Sequence, residues 1–404
     1  MTHIGIIGAG QAGLCVASQL RALNFNGDIS LFGNEGQSPY ERPPLSKAYL
    51  LGKSQKDQIK LRGDAFYEEK RIGVFKALAV ASIDPKEKTL STREGMVHYD
   101  QLVLTTGTRA RELPAEIGGQ LGGVFSLRSM DDADRIHAAF GKARHVLIVG
   151  GGYIGLEMAA AARAHDIAVT LLEAAPRILQ RVTGEPTADY FRSLHQSRGV
   201  TILEGARLKC LSGQSHVEHA ILEDGETIDT DCVIVGIGAV VNDELAKNAG
   251  LDCENGIKTD VYGRTSNEFI WAAGDCTSFV LNGNRTRLES VQNAIEQGTR
   301  VAENIMGANR PYEPKPWFWS DQYDDKLQIA GLAQDYDQII VRQAEKDAPA
   351  RSHWYYRRNE LLAVDVLNEP RTYMIAKRLI EMGKSPSPDM IKNPQTDLKP
   401  LLKS

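Results

Sequence analysis

Two glycine clusters in this sequence have the spacing of loops that bind phosphate groups. Residues 8–13 read G-A-G-Q-A-G and residues 150–155 read G-G-G-Y-I-G, and each cluster directly follows a short apolar run. In a G-x-G-x-x-G turn the first glycine permits the tight turn, the second admits a pyrophosphate, and the third lets helix and strand pack closely. We therefore predict two dinucleotide sites, whose candidate contacts are Gly8, Gly10, Gly13, Gly150, Gly152 and Gly155.

An acidic residue about 20 positions beyond each loop is the second part of this fingerprint. Glu173 directly follows the apolar run 169–172. A carboxylate there can hold both ribose hydroxyls and repels a 2′-phosphate, which favours NADH over NADPH. In the first copy the run 29–32 continues into Gly33, so the ribose partner is either Asn34 or Glu35.

The elements that must position these loops are repeated. Residues 4–35 and 145–173 each contain an apolar strand, a glycine cluster, an Ala-rich helix and a second apolar strand that ends near an acidic residue. Short apolar runs at 102–105, 233–237 and 269–273 suit buried strands of a parallel sheet. We predict an α/β fold with two doubly wound, Rossmann-like domains.

The amino-acid composition of the chain changes near Pro316. Aromatic residues concentrate beyond it, and the spacing predicts strands at 327–332, 338–342, 353–356 and 361–367 and a helix at 372–382. A small α+β domain is therefore expected from residue 317 to the end. We expect the tail beyond Ser385, where prolines alternate with charged residues, to lie as an extended surface strap, with a loosely attached terminus as the alternative.

Composition narrows the class of protein. The 404 residues include 47 Lys and Arg against 52 Asp and Glu, a net charge of −5, which argues against a nucleic-acid-binding protein. The apolar runs are too short or too glycine-rich to span a bilayer, and with an apolar strand predicted from residue 4 we expect no secretory leader. Five cysteines without a C-x-x-C pair indicate a reducing, cytoplasmic location, and we predict no metal site, including at His216 and His219.

Longer segments resemble one enzyme family. Residues 104–107 and 271–275, L-T-T-G and W-A-A-G-D, are similar to flavin-binding segments of proteins with two dinucleotide sites, a group that includes glutathione reductase. Residues 40–50, 150–157, 289–294 and 316–322 resemble the FAD-dependent ferredoxin reductases that serve bacterial cytochrome P450 and aromatic-ring dioxygenase systems. The segments P-P-L-S-K and P-W-F-W-S-D-Q are specific, because the fold requires neither.

This resemblance implies particular contacts in this chain. The FAD contacts would be Ala12, Asn34 or Glu35, Arg42, Lys47, Val80, Thr106, Gly107, Arg128, Asp275, Val291 and Trp319. The NADH contacts would be Ile154, Glu157, Glu173 and Arg181. Several relatives carry Asp where this chain has Asn34, which weakens that one contact. The domains would be residues 1–112 with 243–316 for FAD, 113–242 for NADH, and 317–404 at the C-terminus.

The same resemblance implies a catalytic role for three residues. Lys47 would stabilise the reduced flavin as a nearby cation, with Glu157 as its ion-pair partner linking two domains, and Trp319 would cover the flavin edge where electrons leave. The segment 39–50 has no Cys, which excludes the chemistry of disulfide reductases and NADH peroxidases. Electrons would therefore pass singly to a [2Fe-2S] ferredoxin, with Arg62, Arg300 and Arg310 as candidate docking residues.

Other functions stay open at this point. The acceptor could be rubredoxin, a quinone or a small radical, and a flavoprotein similar to apoptosis-inducing factor would act by redox-dependent association. The oligomeric state is open between a monomer and a weak homodimer.

Overall fold

A computed structural model describes residues 2–345 and 348–403. The chain folds into two compact units, each of which makes most of its residue contacts within itself. The first unit contains residues 2–41, 55–109 and 239–314, and the second contains 42–54, 110–238 and the described residues from 315 onward.

The first unit is built on a five-stranded parallel sheet. Its strand order is Ile270–Ala272, Gln101–Leu104, His3–Ile7, Asp28–Phe32 and Ile72–Phe75. Apolar side chains fill both faces, as the continuous apolar runs predict. The remaining elements are the helices Gln11–Ala22, Asp64–Glu69, Glu244–Asn248 and Val291–Ile305, the 3₁₀ turn Lys56–Ile59, and the strands Val80–Asp84, Thr89–Thr92, Gly95–His98, Thr108–Ala110, Ala239–Val241, Ile257–Lys258, Thr277–Leu281 and Asn284–Thr286.

The second unit contains a parallel sheet of the same kind. Its order is Val200–Glu204, Ala168–Glu173, His145–Val149, Cys232–Val235 and Val124–Ser126. The helices Met130–Phe140, Tyr153–Ala164 and Glu185–Ser197 accompany it, with 3₁₀ turns at Pro43–Ser46 and Ala115–Ile117 and the antiparallel strands Leu208–Ser212, His219–Leu222 and Thr227–Asp229. The predicted pair of doubly wound sheets is confirmed.

Beyond residue 315 the second unit has an antiparallel sheet, which confirms the expected α+β part. Its order is Trp317–Gln322, Asp325–Gly331, Glu360–Leu367, Arg351–Arg357 and Gln338–Gln343, and the helix Pro370–Glu381 packs against it. In the first strand Ser320 and Gln322 are fully buried, whereas Trp319 and Asp321 are partly exposed. This alternation is that of a strand with one covered face.

The prediction of an extended strap at the C-terminus is wrong. The tail folds into the helix Pro388–Lys392 and the 3₁₀ turn Lys399–Leu402, and Ile391 and Leu398 are buried in the core of the antiparallel part. The Arg342 guanidinium donates to four tail carbonyls, at residues 391, 393, 394 and 396. Proline at the first position of a helix costs no hydrogen bond, so the prolines begin these turns instead of extending the chain.

Two further properties of the described residues bear on function. No helix within 2–345 and 348–403 is both long and apolar enough to cross a membrane. All five cysteines have free thiols.

Candidate dinucleotide loops and the Lys47 ion pair

The first glycine loop lies between the strand His3–Ile7 and the helix Gln11–Ala22. Gly8 has a φ of +117°, and a Cβ added there would lie 2.1 Å from the carbonyl oxygen of Thr105. A Cβ on Gly13 would lie 2.1 Å from the carbonyl oxygen of Gly8. Nothing lies within 4 Å of a Cβ added to Gly10. The outer glycines are thus required by packing, and the middle one faces open space.

The second loop repeats this arrangement in the second unit. Gly150 has a φ of +112°, and its added Cβ would lie 2.4 Å from the carbonyl oxygen of Gly236. A Cβ on Gly155 would lie 1.9 Å from the carbonyl oxygen of Gly150. Gly152 again has nothing within 4 Å. Two loops far apart in sequence therefore leave the same small space above a helix N-terminus.

Both helices that follow these loops lack a side-chain cap. Their N-cap residues, Gly10 and Gly152, make no side-chain hydrogen bond, whereas Ser129 and Ser290 cap the helices Met130–Phe140 and Val291–Ile305. The first backbone N–H groups of a helix need acceptors, and a phosphate supplies them together with a negative charge at the positive end of the helix. The loops thus fit the pyrophosphates of two dinucleotides.

Glu173 lies beside the second loop as predicted. Its Oε2 accepts from the backbone N–H of Gly151 at 2.8 Å, and its Oε1 accepts from that of Ala175 at 2.7 Å. Two further candidates belong to this loop region: Ile154 is 44% exposed, and Arg181 is exposed with its guanidinium near Gly238. The carboxylate is therefore fixed at the edge of the loop, with its remaining lone pairs available.

The equivalent edge of the first unit differs. In the first unit Phe32 pairs with Ile7 of the neighbouring strand, and in the second unit Leu172 pairs with Val149 in the same way. Gly33, which follows Phe32, therefore occupies the position that Glu173 has in the second unit. Asn34 is exposed, and the Glu35 carboxylate accepts from the Tyr40 hydroxyl. Both residues stay candidates for the ribose contact.

The other candidates of the first unit lie at turns and helix starts. The Thr106 hydroxyl donates to the carbonyl of Asn242 at 2.6 Å, and the next residue, Gly107, accepts from the Asn242 N–H at 3.0 Å. Val291 begins the helix Val291–Ile305. Two apolar candidates, Ala12 and Val80, are buried.

The turn that carries Asp275 depends on a residue that the sequence interpretation missed. The Gln297 side-chain oxygen accepts from the backbone N–H of Gly274 at 2.8 Å and from the Thr277 hydroxyl at 2.9 Å. Gln297 is buried, so these bonds fix the backbone on both sides of Asp275. No sequence signal singles it out.

Lys47 and Glu157 form the predicted ion pair. Lys47 Nζ lies 2.6 Å from Glu157 Oε2, with the lysine side chain 21% exposed and the glutamate 3% exposed. Both residues belong to the second unit, because the segment 42–54 packs there, so the pair lies within one compact unit and does not link two as expected. The proline pair at 43–44 begins a 3₁₀ turn that ends at Ser46 and delivers Lys47 to the helix Tyr153–Ala164.

Two serines complete the surroundings of Glu157. The Ser46 hydroxyl donates to Oε2 at 2.5 Å and the Ser320 hydroxyl donates to Oε1 at 2.6 Å. Both hydroxyls are buried. The sequence interpretation quoted the P-P-L-S-K and W-S-D-Q segments but gave these serines no role.

The remaining candidates of the second unit are partly buried. Arg42 donates to the carbonyl of Arg128 at 2.5 Å, which joins two proposed FAD contacts. Trp319 contacts Trp317 with ring centroids 5.6 Å apart, and Lys377 Nζ lies 4.8 Å above the Trp317 ring. The two tryptophans are therefore a partly exposed aromatic pair with a cation over one of its rings.

The candidate docking arginines already have partners. Arg300 and Arg310 both pair with Glu303, at 2.9 and 3.9 Å, and the Arg62 guanidinium lies 5.5 Å from the Phe66 ring. The pairing with Glu303 reduces the positive charge that Arg300 and Arg310 could offer to an acidic protein, whereas Arg62 keeps its charge.

The two histidines bond to protein oxygens, and two of the cysteines are buried. His216 contacts the carbonyl of Asp231 at 3.0 Å, and His219 contacts the carboxylate of Asp229 at 2.8 Å. Burial raises the pKa of the Cys276 thiol and, to about 12, that of Cys232. Thiolates are therefore disfavoured at both positions.

Comparisons with known proteins agree with this geometry. Residues 2–298 match the family described as pyridine nucleotide-disulphide oxidoreductase, and residues 317–402 match the family described as reductase C-terminal. The chain is 39% identical to the probable ferredoxin reductase CtmF of Castellaniella defragrans, covering 98% of both chains, and 37% identical to a rubredoxin-NAD(+) reductase of Pseudomonas putida, covering 91% of this chain and 96% of the relative.

A solved structure has the same fold. The ferredoxin reductase for the CYP199A2 system of Rhodopseudomonas palustris superposes with a TM-score of 0.95 at 35% identity and covers 99% of both chains. The two bare glycine loops, the carboxylate beside the second, and these matches along the full length lead to one assignment. The chain belongs to the pyridine nucleotide-disulphide oxidoreductase family and, within it, to the ferredoxin reductases with a reductase C-terminal domain.

Proposed function

We propose that this protein is an NADH-dependent ferredoxin reductase that supplies single electrons to a [2Fe-2S] ferredoxin in a cytochrome P450 or aromatic-ring dioxygenase system. Members of its family use FAD and NAD(P)H, and bound FAD supplies the conversion of a two-electron hydride into single electrons. The observation that carries the proposal is the pair of uncapped glycine loops, each with an open middle glycine.

The first task of the chain is to bind and orient two nucleotides. We assign FAD to the loop at Gly8–Gly13, with Asp275 held in its turn by Gln297, and NADH to the loop at Gly150–Gly155. Fixed backbone donors need no rearrangement when a phosphate binds, which keeps the entropic cost of orientation low. The domain division at 112, 242 and 316 is part of this proposal.

Glu173 supports the preference for NADH. Its carboxylate is fixed by two backbone N–H groups next to the loop, so a 2′-phosphate would bring negative charge against a group that cannot move away. A ribose with both hydroxyls free would instead donate hydrogen bonds to it.

Lys47 is the cation we assign to the reaction. Its ammonium is held by the buried Glu157 carboxylate, so its position is defined before any nucleotide binds. A fixed positive charge favours negative charge that develops nearby during hydride transfer. Arg42, Arg128 and Trp319 stay proposed FAD contacts.

The electron acceptor is a protein in this proposal. Disulfide chemistry requires an accessible thiolate, and burial raises the pKa of the Cys15 thiol, which follows the first loop. The matched ferredoxin reductases support a ferredoxin, and the rubredoxin-NAD(+) reductase keeps rubredoxin as the second candidate. The free thiols support a reducing, cytoplasmic location.

The test uses the purified full-length protein. We expect a flavin absorption band that NADH bleaches, and reduction of cytochrome c that depends on an added [2Fe-2S] ferredoxin. Rubredoxin and a soluble quinone are added in parallel. A higher kcat/KM with either of them would contradict the ferredoxin assignment, and a protein without a bleachable flavin would overturn the reductase assignment itself.

Lys47→Ala tests the assigned cation in the same preparation. We expect the single-turnover rate of flavin reduction to fall by about 100-fold, because a charge fixed at the reacting group is lost. Lys53→Ala is the matched control, since Lys53 lies exposed in the same segment. Equal rates in the two variants would remove Lys47 from the reaction.

A further inference from the structure

A buried hydrogen-bond chain ends on Glu157. Ser320 Oγ donates to Glu157 Oε1 at 2.6 Å, and Gln322 Nε2 donates to Ser320 Oγ at 3.2 Å. His195 Nε2 lies 2.8 Å from Gln322 Oε1, and the Tyr323 hydroxyl lies 3.2 Å from His195 Nδ1. Four consecutive bonds thus connect a tyrosine at a strand turn to the partner of Lys47.

The chain is enclosed by protein. Ser320, Gln322 and His195 are each 0% exposed, and Glu157 is 3% exposed. Hydrogen bonds strengthen in such surroundings, and neighbouring bonds polarise one another. A break in the chain would leave a buried polar group without a partner, which is costly.

The charge of Glu157 fixes the direction of every bond. An ionised carboxylate only accepts, so Ser320 must donate to it. The Ser320 oxygen then accepts from the amide nitrogen of Gln322, which turns the amide oxygen toward His195. His195 must therefore carry its proton on Nε2 and accept from Tyr323 at Nδ1.

His195 can take this role because it is neutral. Burial lowers its pKa to about 4, and the bond to Gln322 opposes that change only in part. A neutral imidazole has one donor and one acceptor nitrogen, which a link within a directed chain requires.

We propose that Ser320, Gln322 and His195 are positioning residues for the Lys47–Glu157 pair, and that they form a one-way hydrogen-bond chain in which the charge of Glu157 sets the tautomer of His195. The chain holds Oε1 of Glu157, so Oε2 stays with Lys47 and Ser46. The effect on turnover rests on the proposed function, whereas the link between charge and tautomer does not.

Other ionisable groups face this chain. Lys47 faces Glu157 from the segment 42–54, and the Tyr153 phenol, whose pKa is raised by burial and then by the charges of Asp365 and Glu157, faces it from the same helix. The Arg198 guanidinium lies 5.2 Å from the Tyr323 ring at the other end. Of these three groups, Lys47 alone bonds directly to Glu157.

The direct test is ¹⁵N NMR of the full-length protein with labelled histidine, at pH 7 and without NADH or ferredoxin. The His195 signals are assigned by their loss in His195→Gln. We expect a single Nε2–H tautomer in the unchanged protein. Glu157→Gln should yield a mixture, because a glutamine can donate to Ser320 as well as accept from it. Ser320→Ala is the second variant. Without the Ser320 hydroxyl the Gln322 amide can take either orientation, so we expect a mixture of His195 tautomers here too.

Thr187→Val is the matched control for these variants. Thr187 is buried in the same unit, and its hydroxyl bonds to His353 and Asp365, outside the chain. We expect the His195 tautomer to stay unchanged in this variant. An Nδ1–H tautomer of His195 in the unchanged protein would overturn the proposal. So would an unchanged His195 tautomer in both Glu157→Gln and Ser320→Ala. An equal change of the tautomer in Thr187→Val would overturn it as well.

Turnover provides a second readout. Gln322→Leu should lower kcat about tenfold with NADH while the KM for NADH stays within about twofold, because the substitution disturbs a charge pair and leaves the nucleotide loop intact. An equal loss in Thr187→Val would indicate a general packing effect and contradict the positioning role. If the NMR results agree with the expected tautomers while no turnover with ferredoxin is detected, the proposed function is wrong and the hydrogen-bond chain is still supported.

Discussion

The carboxylate of Glu173 accepts two backbone hydrogen bonds and retains further lone pairs. An ionised carboxylate has about four acceptor positions, and two are occupied by the N–H groups of Gly151 and Ala175. The remaining ones face the region beside the second loop, where the ribose of a dinucleotide would lie. In the proposed assignment this one side chain controls the choice of coenzyme, because its carboxylate is held by two backbone hydrogen bonds.

Glu173→Ala should reduce the preference for NADH over NADPH. The variant removes both the acceptor for the ribose hydroxyls and the charge that repels a 2′-phosphate, and hydrogen bonds to a charged group correspond to about 10- to 100-fold in binding. The measurement is kcat/KM for both coenzymes. Glu173→Gln serves as the control, since it keeps the size and one acceptor but loses the charge. An unaltered ratio in both variants would refute the ribose assignment.

The helix N-terminus is the element on which each proposed nucleotide site depends. Gly152 leaves the first N–H groups of the helix Tyr153–Ala164 without a side-chain cap, and Gly155 brings that helix against the carbonyl of Gly150. In the proposed site Gly152 leaves room for the ligand, whereas Gly155 is required by the packing of the helix. The spacing predicted different roles for the two glycines, and the structure agrees in leaving Gly152 open and packing Gly155 against a carbonyl oxygen.

Substitution of these two glycines should have different consequences. Gly152→Val should leave the thermal unfolding temperature nearly unchanged, because the position is open and its backbone is extended, but should weaken NADH binding by at least about tenfold. Gly155→Ala should cost about 1–3 kcal/mol of stability, because its Cβ would lie 1.9 Å from a carbonyl oxygen. Calorimetry and NADH titration distinguish the two outcomes. A destabilised Gly152→Val with normal NADH binding would contradict the assignment.

At the scale of the whole molecule, buried ionisable groups link folding to pH. The hydroxyl of Thr187 joins His353, at 2.6 Å, to Asp365, at 2.7 Å, inside the second unit. Burial lowers the pKa of His353 to about 3 and raises that of Asp365 to about 6. Each group is therefore neutral in the folded protein over a range of pH in which it would be charged in the unfolded chain.

The two groups should act on stability with opposite signs. Between pH 6.5 and 3 the unfolded chain binds a proton at His353 that the folded protein does not, so this histidine lowers stability as the pH falls. Between pH 3.8 and 6 the folded protein retains a proton on Asp365 that the unfolded chain has lost, so this group raises stability as the pH falls. His353→Gln should therefore lessen acid destabilisation between pH 6 and 4, and Asp365→Asn should increase it. Urea unfolding at each pH measures both slopes, and slopes of the same sign would contradict the assignment.

The parts of this protein that sequence determined are local. The glycine loops, the Ala-rich helices and Glu173 lie within two segments of about 30 residues, where short-range geometry and apolar periodicity act directly. The fold class follows from their repetition and is confirmed. The prediction for the tail was wrong because burial of Ile391 and Leu398 depends on a core formed by strands far away in sequence.

Only the tertiary structure decided what surrounds Lys47. Resemblance to a family predicted its pairing with Glu157, but Ser320 lies 163 positions from Glu157 and His195 lies 127 positions from Gln322. No local pattern marks the whole hydrogen-bond chain, because Ser320 and Gln322 share a strand face whereas Glu157 and His195 lie on two separate helices. The charge of Glu157 sets the direction of the bonds, and because this carboxylate is removed from water it must take its donors from the side chains that the fold places beside it.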